Sequence, residues 1–166
     1  MLAAAGLALL AVSPSPGAAS AKVGPAPMTD QRQRPTARRH VEAKITVRRS
    51  EAAPYDRTSP ALTEIRIAES FTGGIEGESA VRALQVQRPD RSASLVSLQR
   101  FQGRLDGRQG AFVLQGAEVV TNGKIKATWF VVPGSGTGAL AGLRGEGGFE
   151  GAFGKSSVGT LDYWFE

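Results

Sequence analysis

The chain has 166 residues, enough for one ordinary domain, and 41% of them are hydrophobic, enough to form a core. It has no cysteine and one histidine, which excludes a disulfide framework, a thiolate metal site and a multi-histidine metal centre. The net charge of +5 is unevenly placed. Residues 22–50 carry eight Lys and Arg against two acids (+6), and residues 51–166 carry twelve against thirteen (−1). The basicity therefore belongs to a tail. It does not mark the folded part as a specific nucleic-acid binder, although a basic tail can touch phosphate or anionic lipid electrostatically.

Residues 1–21 read MLAAAGLALLAVSPSPGAASA. Leu2 to Val12 is an apolar run of signal-peptide length, too short to span a bilayer, and Ala19-Ser20-Ala21 has the form of a cleavage site. This pattern predicts a signal peptide and a secreted or periplasmic product, with no transmembrane segment. The basic stretch that normally opens such a peptide is missing. The alternative is translation from Met28 and a cytoplasmic product. Residues 22–41 mix Arg with Pro25, Pro27 and Pro35, without apolar periodicity, and predict a basic disordered linker.

Residues 42–166 form the predicted domain. Val41, Ala43, Ile45 and Val47 alternate with Glu42, Lys44, Thr46 and Arg48, as in a strand with one buried face. A loop is expected over Ser50–Pro60, with two prolines. Further strands are expected over 62–71, 75–87, 93–105, 111–116, 124–132, 147–153 and 160–165. Arg88-Pro89-Asp90-Arg91 is a turn, and Asn122-Gly123 is a strong hairpin signal. Eight short strands without a long helical period predict an all-β domain, a small eight-stranded antiparallel barrel or a sandwich. A barrel of that size is either filled by side chains or just holds one small ligand.

The glycine-rich run after Trp129 needs separate treatment. Ala127, Trp129 and Val131 alternate with Lys126, Thr128 and Phe130 in a strand that stops at Pro133. Gly134-Ser135-Gly136-Thr137-Gly138-Ala139 fits the G-x-G-x-x-A dinucleotide pattern, but no helix opens on it, and the pattern needs one. A turn is the better reading, with at most one helical turn near Leu140. Gly103–Gly110 and Gly138–Gly145 share G-x-L-x-G-x-x-G, each ahead of a phenylalanine, and both are expected to be hairpins.

Gly136 to Gly145 (GTGALAGLRG) resembles the glycine signature of the allene oxide cyclase and dirigent-like barrel superfamily. The run from Val131 to Glu150, the C-terminal TLDYWFE, Gly103–Gln115 and Phe71–Glu78 are similar to a bacterial branch of it, a family of small domains of unknown function. The resemblance covers about residues 42–166. It implies an eight-stranded antiparallel barrel with an apolar interior, and homo-oligomers.

Candidate chemistry is sparse. Gln99 lies in register with Leu95 and Phe101, which points it inward, where the similar family often has Glu. A buried Glu could work as an acid or base, and Gln cannot. Glu78 matches a recurring acid of the family and is the candidate catalytic carboxylate; the plainer alternative is a strand-end residue bonding backbone N–H groups. Gln99, Phe101, Gln115, Trp129 and Tyr163 are the candidate ligand-binding residues. A core role for Tyr163, with its hydroxyl satisfied, is the alternative. Arg144 is expected to pair with Glu146 or Asp162. His40 falls in the expected linker, which argues against a Ser–His–Asp triad. No cofactor and no metal are expected. Two functions follow: a barrel that binds a small hydrophobic molecule in its lumen, or a cofactor-independent isomerase or cyclase that shapes a flexible substrate.

Overall fold

The computed structural model describes residues 37–152 and 155–166. The signal-peptide reading of 1–21, and the linker reading as far as residue 36, lie outside the described residues. The strands are β1 Arg39–Asp56, β2 Ala61–Gly73, β3 Ile75–Gln87, β4 Ala93–Leu105, β5 Arg108–Thr121, β6 Lys124–Val131, β7 Leu143–Ala152 and β8 Ser157–Phe165. Each pairs antiparallel with the next, and β8 pairs with β1 to close the barrel. The fold is thus the all-β, eight-stranded antiparallel barrel that the alternation predicts.

Local chemistry explains the turns. Asp106-Gly107 joins β4 to β5 and Asn122-Gly123 joins β5 to β6, all four residues at positive φ. Such two-residue turns match the twist of the strands they connect. The second glycine echo behaves differently. Residues 132–142 form a longer connection with a 3-10 turn at Gly138–Leu140. The Thr137 N–H donates to the Ala111 carbonyl at 2.8 Å, and Leu140 is fully buried. This connection folds over one end of the barrel instead of making a tight hairpin.

Other boundaries also shift for physical reasons. Ser50–Asp56 is strand rather than loop. Pairing of β8 with β1 ends at Ile45, while β2 pairs β1 as far as Asp56. Pro54 therefore lies where β1 has a neighbour on one side only, and its missing N–H costs no second ladder. β7 begins at Leu143 because its glycines make room for neighbours: a Cβ at Gly147 would lie 3.0 Å from the Trp129 indole nitrogen. His40 is in β1, exposed, with Nδ1 2.7 Å from Asp162 Oδ1. Arg144 pairs with Glu166, at 2.8 Å, and not with Glu146 or Asp162.

The interior divides into two apolar clusters. The first fills the end covered by 132–142 and holds Phe71, Phe101, Phe112, Trp129, Leu140 and Tyr163 among others. Phe101 packs edge-on to Phe71 at 5.6 Å and tilted against Phe112 at 4.8 Å. Gly77 and Gly103 face each other beside Phe101, both at positive φ. A Cβ on either would come within 3.0 Å of the Phe101 ring and closer still to a backbone carbonyl. The second cluster, Ile65, Ala83, Ala93, Leu95 and Val120, lies toward the opposite end and has no aromatic residue.

Candidate functional site

Between the two apolar clusters lies a layer of polar side chains. Strand alternation places Glu69 of β2, Ser79 of β3, Ser97 and Gln99 of β4, and Glu118 of β5 on the inner face. The Gln99 amide nitrogen donates to Glu69 Oε2 and to Ser79 Oγ, both at 2.7 Å. The Ser79 hydroxyl donates to the same Glu69 oxygen at 3.2 Å. Beside this triad, the Ser97 hydroxyl donates to Glu118 Oε1 at 2.5 Å. Gly116 keeps that second pair possible, because a Cβ there would lie 2.6 Å from Ser97 Oγ and 2.7 Å from Glu118 Oε1.

The electrostatics are those of acids without cations. Burial pushes the Glu69 carboxyl above its ordinary range; the bonds from Ser79 and Gln99 oppose the shift, and the Glu118 charge adds to it. Burial raises Glu118 as well, against the bond from Ser97. Among the described residues, no Lys or Arg forms an ion pair with either acid. Glu118 is 9% exposed, and its Oε2 is buried with no hydrogen-bond partner. A buried polar atom left unpaired costs about 1–3 kcal/mol. Two carboxyls with raised proton affinity can hold a proton, pass one, or accept hydrogen bonds from a guest.

The residues singled out from the sequence divide between the two faces. Gln99, Phe101, Trp129 and Tyr163 are interior. Gln99 belongs to the polar layer, and the other three belong to the aromatic cluster. The Tyr163 hydroxyl donates to Asp106 Oδ2 at 2.8 Å, and Arg39 donates to the same oxygen at 2.8 Å. The Trp129 indole N–H donates to the Thr160 carbonyl at 3.1 Å. Both polar handles are thus engaged within the protein. Glu78 and Gln115 are exposed on the outer face, away from the layer.

Sequence reasoning missed Glu69, Ser79, Ser97 and Glu118. The signal was present as parity. Ile65, Ile67, Glu69 and Phe71 form one alternating track, and Leu114, Gly116, Glu118 and Val120 another. An acid in each apolar track marks an inward carboxyl.

Residues 41–166 match the family described as protein of unknown function (DUF3224). A crystal structure of a DUF3224-family protein of unknown function from Shewanella oneidensis MR-1 is similar, with a TM-score of 0.64 and 27% identity, over 78% of this chain and 98% of that one. No curated protein matches the chain. With most of its length matched and the same architecture in a solved relative, the chain belongs to the DUF3224 family.

Proposed function

We propose that the barrel binds a small, largely apolar molecule in its lumen, held by the polar layer and walled by the aliphatic cluster. The observation that carries this is Glu118, a buried carboxyl with one unpartnered oxygen, set in a polar layer between two apolar clusters. The 132–142 connection, with its fully buried Leu140, covers the first end, which supports entry from the second. Kinship with the allene oxide cyclase and dirigent-like barrels is part of the same proposal, supported by the glycine run 136–145. Secretion is too, supported by the apolar run and A-x-A site of residues 1–21; N-terminal sequencing of the mature protein tests it, since a start at Met28 would refute it. Homo-oligomers are supported by an apolar outer face: Leu84, Val96 and Leu98 are each at least half exposed.

Native mass spectrometry of the protein purified from its own host tests the binding. A retained small molecule, lost on partial unfolding, is the expected result. A protein that is empty and also excludes a neutral hydrophobic fluorescent probe overturns the reading. The raised proton affinity of Glu69 and Glu118 favours a second reading, a cofactor-independent isomerase or cyclase in which one acid moves a proton. In that case Glu118→Gln or Glu69→Gln abolishes turnover of the retained molecule while still binding it. Unchanged turnover in both variants rules the reading out.

A further inference from the structure

We infer that the lumen ligand is a hydrophobic amine, with a protonated nitrogen seated against Glu118 and Glu69 and an apolar body along the aliphatic wall. The inference rests on the lumen-binding reading and adds the chemical class of the guest.

The hydrogen-bond inventory of the polar layer carries it. Gln99 spends its amide hydrogens on Glu69 and Ser79. Ser79 spends its hydroxyl hydrogen on Glu69, and Ser97 spends its own on Glu118. Every donor of the layer is thus used within the layer. What remains are acceptors: Glu118 Oε2, Glu69 Oε1 and Gln99 Oε1 take no hydrogen bond among the described residues. An ammonium group offers three donors and no acceptor. It would also screen the repulsion between the two carboxyls, which a neutral guest would not.

The surrounding elements supply no competing cation. β2 and β5 contribute Glu69 and Glu118, and β3 and β4 contribute Ser79, Ser97 and Gln99, which carry no charge. β1, β6, β7 and β8 face the interior there with Ala43, Ile45, Ala127, Phe149 and Leu161, none of which titrates. Beyond the layer, Ile65, Ala83, Ala93, Leu95 and Val120 offer an aliphatic wall suited to an alkyl or small-ring body. The ionised acids are the binding form. Their folded-state affinity for protons is raised, so protons compete with the amine at low pH, and binding strengthens as pH rises until the amine itself deprotonates.

Three probes of one chain length test this: octylamine, 1-octanol and octanoate, titrated by calorimetry into the intact protein. Octylamine is expected to bind about tenfold or more tightly than 1-octanol, as charge-assisted bonds exceed neutral ones. Octanoate is expected to bind most weakly. Octylamine binding should strengthen as pH rises from the ordinary carboxylate range toward neutrality, because both acids release their protons later than a free carboxyl does. Glu118→Gln should remove most of the octylamine preference and leave 1-octanol binding in place. Glu69→Gln carries the same test if the first variant does not fold. Equal or tighter binding of 1-octanol, or octylamine binding that weakens as pH rises over that range, overturns the amine inference. If none of the three binds but a neutral fluorescent probe enters, the amine inference fails and the lumen reading stands. If the probe is excluded as well, both fail.

Discussion

The two ends of the barrel interior are built on opposite principles. The covered end is filled by interlocking aromatic rings, with the hydroxyl of Tyr163 and the indole N–H of Trp129 both satisfied by the protein. The other half has small and aliphatic walls with Thr63 among them, beside two acids, each with one oxygen that takes no hydrogen bond among the described residues. The first arrangement is what stability alone selects. The second leaves polar valence open, and such local departures from what stability selects are expected at functional sites.

The contrast can be broken most forcefully at the aromatic end. Phe101→Ala removes a fully buried ring that touches two others, and should cost about 3–5 kcal/mol in a denaturant melt. A loss below about 1 kcal/mol would mean that the rings are not the main stabilising cluster. Gly103→Ala at the same end should cost about 1–3 kcal/mol, because its positive φ and the nearby Glu76 carbonyl both resist a side chain. A neutral result there would show that the β3–β4 pair relaxes.

At the acid layer the sign reverses. Glu69 and Glu118 have raised folded-state values, so they bind protons more tightly folded than unfolded. Their contribution to stability is complete below the unfolded carboxyl range and is lost as pH rises through the raised values. Glu118→Gln should therefore melt at or above the native protein at neutral pH, by about 1 kcal/mol, with the advantage vanishing in acid. A large destabilisation at neutral pH would place the acid among the structural residues. The smallest effect belongs to the outer face. The hydrogen bond that His40 donates to Asp162 raises its pKa, so its NMR titration midpoint should lie above that of an ordinary histidine. That pair helps the fold below the unfolded histidine value and stops helping as pH rises through the folded one. A midpoint at the ordinary value would show that the contact is not held in solution.

Much of this architecture is legible in the sequence, and the expected spans 75–87 and 93–105 coincide with β3 and β4, because strict alternation between turn signals leaves one register. The sequence puts the start of β7 too late because glycine density reads as loop, although glycines beneath Trp129 are a packing requirement of a strand. Pro54 hid the second half of β1 in the same way, since its tolerance depends on where β8 ends. The site was less legible. The inward orientation of Gln99 follows from parity, whereas the family resemblance points to Glu78, an acid that faces solvent, and not to Glu69 or Glu118. Parity would have corrected this; the unpaired oxygen of Glu118 could emerge only from packing.

The pairing of β8 with β1 has a kinetic consequence. Seven of the eight ladders join strands adjacent along the chain, and the eighth brings Tyr163 to Arg39. The meander can zip up hairpin by hairpin, but the seam must close a loop nearly as long as the domain, and such non-local contacts slow folding. A circular permutant that joins the two termini of the domain across this seam, with new ends at Asn122-Gly123, turns that distant closure into a local hairpin and moves the slow step to β5–β6.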